Sequence, residues 1–468
     1  MRFKLSFLGA AGSVSGSRFL LEANDVKVLV DCGLCQEREC KHRDWQPFPV
    51  SPDTIDAVLL THAHIDHCGL LPKLVRDGFR NNIYCTDATA DIAEIMLVDS
   101  AKIQQEDAEF KSRRHGREGR KGPYPEAALY TVEDAQACFP HFAPVEYGKT
   151  VQIGDGVAAT FHNAGHVFGS SMIMISISQG GARRTVLFSG DVGRWNEPIQ
   201  RDPTMFQQAD YVLVESTYGD RVHEDSGSAA AQLAGIVNSA VENGGNIVVP
   251  SFALERTQDV LYHVNKLLIE NRIPHLLVFV DSPMAVSITE VFENHPELFD
   301  KEMKSLVRRG NSPFDFPGLT MVRSVDESKA INRIRGTAMI IAGSGMCTGG
   351  RVKHHLVSNI SRPESTVLFV GYQAQGTLGR QIVDGAREVR ILGQRYPVRA
   401  KIAQIQAFSA HADRDELLRW LLHLEAPPRH VFVVHGEPEV SSLFAESVRE
   451  RTGWKTSVPS CGQDFVLD

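Results

Sequence analysis

The chain has 468 residues, 43 % hydrophobic and 23 % charged, with a formal net charge of −8. That length exceeds a single compact core and implies two or three domains, while the composition is ordinary for a soluble globular protein. The acidic balance excludes binding through a broadly basic surface, although a local field at a metal site can still draw in phosphate.

No apolar run approaches the roughly eighteen residues of a membrane span, so no membrane association is expected. Eight cysteines without regular spacing read as reduced, buried thiols of a cytoplasmic protein. Cys32 and Cys35 form a C-x-x-C, but no second such pair completes a structural zinc site.

In chain order, Phe3, Leu5 and Phe7 alternate with Arg2, Lys4 and Ser6, which is strand periodicity over 3–8 rather than the apolar core of a leader peptide. A small-residue turn from Gly9 to Gly16 precedes strands at 18–22 and 26–31. The last ends at Asp31-Cys32-Gly33, where the carboxylate is placed either to form a turn or to orient a metal ligand from behind.

An apolar strand end at 58–61 then runs into His62-Ala63-His64-Ile65-Asp66-His67. If the backbone stays extended, side chains two apart share a face, so His62, His64 and Asp66 converge, and His67 joins only if the chain turns. Imidazoles packed this closely with a carboxylate suit a borderline metal such as zinc.

Beyond the cluster, 70–77 reads as a helix, 83–85 as a strand and 88–105 as a long amphipathic helix. Residues 111–122 carry six basic groups against one acid, the pattern of a solvated surface loop, with a phosphate contact as the alternative. A helix at 132–138 and strands at 157–161 and 172–178 follow, the strands flanking the loop Asn163 to Ser170 that contains His166; His162 is read as structural. Strands at 185–188 and 210–214 end in Ser189-Gly190-Asp191 and in Glu215-Ser216-Thr217-Tyr218-Gly219-Asp220.

From there the texture changes to β-branched runs at 247–250, 276–280, 338–342 and 366–370, the first three each followed by a helical segment, which implies a parallel sheet. Ligands bind beyond the carboxyl ends of such strands, so Ser251, Arg256, Ser344, Gly345 and Met346 are candidate substrate contacts. The 343–350 turn opens onto a helix that can attract phosphate, but it fits neither the P-loop nor the Rossmann pattern. A strand at 398–405 leads through Ala407 into Phe408-Ser409-Ala410-His411-Ala412-Asp413, and one at 431–434 into His435-Gly436-Glu437.

The order H-x-H-x-D-H, His166, Asp191, Glu215, a long insertion, His411 and His435 resembles the β-CASP group of metallo-β-lactamase-fold ribonucleases, which includes the mRNA 3′-end cleavage endonuclease and RNase J. The F-S-A-H-A-D, V-V-H-G-E-P and E-S-T-Y-G-D stretches carry most of that resemblance, which covers essentially the whole chain. It implies an α/β fold: an αββα metallo-β-lactamase sandwich in two parts, 1–219 and 397–468, around an inserted parallel α/β β-CASP domain at 220–396.

It further implies two Zn²⁺ ions, one on His62, His64, His166 and Asp191 and the other on Asp66, His67, Asp191 and His435, with Asp31 behind them. Manganese is also compatible with carboxylate-bearing sites. The expected reaction is hydrolysis of single-stranded RNA by a hydroxide shared between the metals, leaving a 5′-phosphate and a 3′-hydroxyl, with Asp66, Glu215 and His411 as catalytic groups. His411, oriented by Glu215, is the expected proton donor to the departing oxygen, and His435 favours RNA over DNA by resemblance.

One departure is Glu255, which stands where relatives have glycine and adds negative charge beside the expected RNA path. No RNA-binding appendage such as a KH domain is read before residue 1 or after residue 468, and a homodimer stays open. The competing readings are a DNA-processing nuclease of this fold, a small-molecule metallo-hydrolase and a catalytically silent RNA-binding partner.

Overall fold

The computed structural model describes the chain apart from residues 38, 120–123, 224–226, 335 and 406–407. It divides into two compact units: Met1–Trp195, Asp202–Val222 and His411–Asp468 form one, and Asn196–Arg201 with His223–Ala410 form the other.

Among the described residues, the first unit holds two seven-stranded sheets. In one, Gln463–Leu467, Phe3–Gly9, Arg18–Ala23 and Val26–Val30 run antiparallel, and Ala57–Leu59, Asn82–Cys85 and Phe142–Pro144 then continue in parallel. In the other, Ala182–Phe188, Tyr211–Glu215 and His430–Val434 are parallel neighbours. Alternation turns Leu5, Phe7, Leu21 and Val28 of the first sheet toward Phe161, Ile173, Phe188 and Phe432 of the second, all fully or almost fully buried. Phe7 meets Phe432 at 5.3 Å between ring centroids, which ties the two sheets together through side chains each worth about 1.5–3 kcal/mol of burial.

Helices Arg414–Leu421 and Pro438–Thr452 cover the outer face of the second sheet, with Leu417, Trp420 and Phe444 packed on Leu187, Val212 and Val214. Helices Leu71–Arg76, Asp87–Glu118 and Val132–Ala137 pack on one another within the same unit, Asp87–Glu118 also touching the first sheet at Phe142–Pro144. This is the αββα sandwich expected from the sequence.

The helix beginning at Asp87 runs to Glu118, so the described part of the basic run, 111–118, is helical and not a loop. Pairs one turn apart explain this: Asp107 with Lys111, Glu109 with Arg113 and Arg114 with Glu118 each favour the helix, and Gly119 ends it at φ 62°. The rest of that run, 120–122, lies outside the described residues.

In the second unit, Leu319–Met321, Leu277–Val280, Ala338–Ala342, Ile247–Pro250, Thr366–Phe369 and Lys401–Gln404 form one parallel sheet in that order. Lys401–Gln404 pairs with Thr366–Phe369 at the edge of this sheet, and the unit extends to Ala410. Ala407, expected to follow that strand, is outside the described residues.

Candidate metal centre

Asp191 and His435 follow the carboxyl ends of the parallel strands Ala182–Phe188 and His430–Val434, and Glu215 is the last residue of Tyr211–Glu215 between them. Asp31 and His62 follow the ends of the parallel pair Val26–Val30 and Ala57–Leu59 in the other sheet. Strand direction therefore delivers polar side chains from remote parts of the sequence to one rim of the sandwich.

The backbone past Leu59 stays extended only as far as His64 and then enters a single helical turn, Ile65–Cys68. The extended course that would put His62, His64 and Asp66 on one face therefore stops at His64, and the chain makes the turn on which the joining of His67 depends. The turn at Ile65 groups Asp66 with His67 and His435 instead, while His62 and His64 gather with His166 and Asp191. Gly33 permits the packing: a Cβ there would lie 1.6 Å from the Asp66 carbonyl oxygen.

In the first group, His64 Nδ1 lies 3.0 Å from His62 Nε2 and 3.3 Å from His166 Nε2, and Asp191 Oδ2 lies 3.4 and 3.5 Å from the latter two atoms. Four ligands around a zinc at about 2.0–2.1 Å would stand about 3.3–3.4 Å apart, so the donor set fits a tetrahedral ion. In the second group, His67 Nε2 and His435 Nε2 are 3.1 Å apart, at 3.4 and 3.6 Å from Asp191 Oδ1, and Asp66 Oδ2 is 3.6 Å from His435. Asp191 Oδ1 is buried without a hydrogen bond, a costly state for a carboxylate oxygen that a cation would relieve.

Groups behind the ligands set their tautomers. Asp31 accepts the Thr61 backbone N–H at 2.8 Å and hydroxyl at 2.9 Å, and His67 donates Nδ1–H to it at 2.8 Å, which leaves Nε2 free as a ligand atom. His435 donates Nδ1–H to the Thr217 hydroxyl at 3.1 Å, and that hydroxyl donates to the His435 carbonyl at 3.3 Å. Thr61 takes the corresponding role at His62, 3.1 Å from Nδ1. Thr61 and Thr217 were not singled out from the sequence, although both lie inside stretches that were.

The electrostatics divide the same way. Burial, aided by the neighbouring His67, pushes His62 down to about 4, and burial with His62 pushes His64 down to about 3. Burial and then His411 hold His166 well below its ordinary value. These imidazoles are neutral at pH 7, the form that ligates metal. At His67 and His435 burial also opposes charge, but Asp191 together with Asp31 and Asp66 outweighs it and raises both. The second group thus draws in positive charge where a cation would stand.

His411 Nδ1 lies 3.1 Å from Glu215 Oε1. Glu215 is completely buried, and its carboxylate also accepts the backbone N–H groups of Val192 at 2.7 Å and Thr217 at 3.2 Å. Burial opposes the charge on His411, yet Glu215 raises it to about 9. Glu215 lies near enough to Asp191 and His435 to share an ion with them, but its oxygens are engaged by these three donors.

Comparison with known proteins matches three stretches of the chain. A metallo-beta-lactamase superfamily domain matches residues 20–190, a Beta-Casp domain 257–382, and a Zn-dependent metallo-hydrolase RNA specificity domain 395–459. A protein of Thermus thermophilus named as a ribonuclease is 38 % identical over 431 residues, 92 % of each chain. The chain belongs to the β-CASP/metallo-β-lactamase ribonuclease family. Transcription termination factor FttA of Methanocaldococcus jannaschii is 30 % identical over 469 residues, covering 97 % of this chain and 70 % of that one. An RNase J-like protein of the same organism is 28 % identical over 459 residues, 97 % and 96 % of the two chains. A crystal structure of a protein of unknown function from Enterococcus faecalis V583 superimposes over the full length of both chains with a TM-score of 0.55 at 12 % identity, a likeness of fold alone.

In this β-CASP chain His162 stands apart from the metal-ligating groups, edge-on to Phe206 at 5.0 Å between ring centroids. The candidate substrate contacts of the second unit lie at the carboxyl end of its sheet, after Ile247–Pro250 and Ala338–Ala342. Ser251 is buried, its hydroxyl 3.2 Å from that of Thr257, so its side chain braces the turn. Arg256 is paired with Asp259 at 3.2 Å, and Ser344 Oγ accepts the Thr348 N–H at 3.0 Å. Gly345 is buried and Met346 half-buried, its carbonyl accepting the Gly379 N–H at 3.1 Å.

Glu255, which precedes Arg256, is a buried side chain. It is 5 % exposed and accepts a 2.6 Å hydrogen bond from Gln200. Its φ of 67° is one that glycine adopts more readily, and the side chain turns inward instead of toward solvent.

Proposed function

We infer that this chain is a metal-dependent ribonuclease acting on single-stranded RNA. The observation that carries the reading is Asp191, which directs one carboxylate oxygen toward each of two imidazole groups in a chain 38 % identical to a protein named as a ribonuclease. His62, His64, His166 and Asp191 would hold one divalent ion, and Asp66, His67, Asp191 and His435 the other. Imidazole-rich, four-donor groups favour zinc, with manganese the alternative where carboxylates contribute.

Such a pair of ions, when bound, supplies Lewis-acid charge and activates water at neutral pH. Asp66 and Asp191 offset only part of that charge, so the rim attracts a phosphate although the chain is acidic overall. His411, held by Glu215, gives its proton to the departing 3′-oxygen, leaving a 3′-hydroxyl and a 5′-phosphate. Asp66, Glu215 and His411 carry the catalytic assignment in this reading, with Asp31 holding His67 in place.

The remaining assignments belong to the same reading: a hydrolase domain in two parts around the β-CASP insertion, with Ser251, Arg256, Ser344, Gly345 and Met346 on the RNA side. No described helix is long and apolar enough to cross a membrane, and the eight cysteines are free thiols, seven of them buried. We place the chain in the cytoplasm, with a homodimer as the assembly to be examined by light scattering.

The test is incubation with end-labelled single-stranded RNA and matched DNA, with and without chelator. RNA should be cleaved, chelator should abolish cleavage, and zinc or manganese should restore it with 5′-phosphate ends. RNA left intact by metal-loaded protein would overturn the reading.

A further inference from the structure

In the second unit, Ala338–Ala342, Ile247–Pro250 and Thr366–Phe369 are parallel neighbours, so the turns that follow them open at one end of the sheet. Two aromatic rings leave the core there: Phe252 is 44 % exposed and Tyr372 is 52 % exposed. Scattered exposed apolar residues need no explanation. These two sit on turns after adjacent strands and are braced from below.

A Cβ on Gly345 would lie 2.8 Å from the Phe252 ring, so that ring rests directly on the glycine backbone. The buried Gln373 side chain donates to the carbonyls of Gly345 at 3.1 Å and Gly371 at 3.4 Å, tying the turn beneath Phe252 to the turn that carries Tyr372. Thr257 donates to the Phe252 carbonyl at 2.8 Å. Arg256 Nε lies 3.9 Å from where a side chain on Gly371 would begin, which sets a guanidinium beside the same turns. Open rings on a fixed backbone match the needs of a single strand, because every base has a π-face; the guanidinium beside them is itself held by Asp259 at 3.2 Å.

We propose that Phe252 and Tyr372 form a stacking platform for the bases of single-stranded RNA. The proposal rests on the ribonuclease reading and adds how the strand is held. Stacking is sequence-tolerant, so the platform admits many RNAs and requires unpaired bases. An apolar peptide is the competing occupant, and the experiment separates the two.

The probes are a labelled oligoribonucleotide and a ribose-phosphate chain of equal length without bases, bound to metal-loaded His411→Ala protein and followed by fluorescence anisotropy. Phe252→Ala and Tyr372→Ala, added to that background, should each weaken binding of the base-bearing strand by about ten-fold and leave the abasic strand unaffected. Tyr372→Phe should bind as its parent does, and thermal melting should show all variants folded. Equal binding of the base-bearing strand by the double alanine variant, or equal losses on both strands, would overturn the platform, and equal binding leaves a peptide as the occupant to examine. RNA cleavage by the unsubstituted chain is measured alongside: its absence defeats the ribonuclease reading, whereas cleavage with unchanged binding in the ring variants defeats only the platform.

Discussion

Asp191 and His67 meet with Oδ1 3.4 Å from Nε2, while the other oxygen of the same carboxylate stands 3.4 Å from His62 Nε2. One side chain therefore joins two ligand groups, and its loss should affect both ions together. Asp191→Asn should lower bound metal by more than one equivalent in elemental analysis and reduce RNA cleavage on the order of 10³-fold. Loss of a single equivalent would show that the groups load independently.

Removal of the His411 ring should separate metal binding from chemistry. His411→Ala should keep its metal content and lose about 10²–10⁴-fold in cleavage rate, the range of a positioned proton donor. Metal loss in this variant would instead make His411 part of the ligand set.

The charge on His411 predicts a pH dependence. Its value in the folded chain, about 9, exceeds the ordinary value of 6.5. Its contribution to stability is therefore complete below about 6.5 and is lost as pH rises through about 9. Urea midpoints of metal-free protein should fall along that alkaline limb, and Glu215→Gln should move the limb to lower pH.

Thr217 predicts a change in metal affinity without loss of a ligand. Thr217→Val removes the acceptor for His435 Nδ1–H and should weaken metal binding by about 10–100-fold in competition with a chromogenic chelator. Asp31→Asn should do the same through His67.

In the chelated chain, His62 and His64 have values of about 4 and 3, below the ordinary 6.5. The stability they support is complete above about 6.5 and lost as pH falls through those values, because the unfolded chain takes up protons that the folded one excludes. Urea midpoints of metal-free protein should decline from pH 7 to pH 4, and metal-loaded protein should resist over the upper part of that interval.

Most strands were legible because alternation and β-branched runs bounded by glycine are local signals, readable over six or seven residues. The helix beyond residue 105 was not. Its basic tail resembles a solvated loop until the acids one turn earlier are paired with it. The turn at Ile65 was equally hidden, since it depends on Gly33 lying against the Asp66 carbonyl from another strand end.

The sequence by itself determined the types of candidate ligand, the strand ends that present them and the kind of sheet in each half of the chain. Those are properties of short windows, where side-chain chemistry and backbone periodicity act within a few residues. Only the tertiary structure decided that the chain turns at Ile65, that the Thr217 hydroxyl holds His435, that Lys401–Gln404 belongs to the second sheet and that Glu255 faces inward. Each of these is a contact between segments distant in sequence, and its energy depends on a partner that no local pattern names.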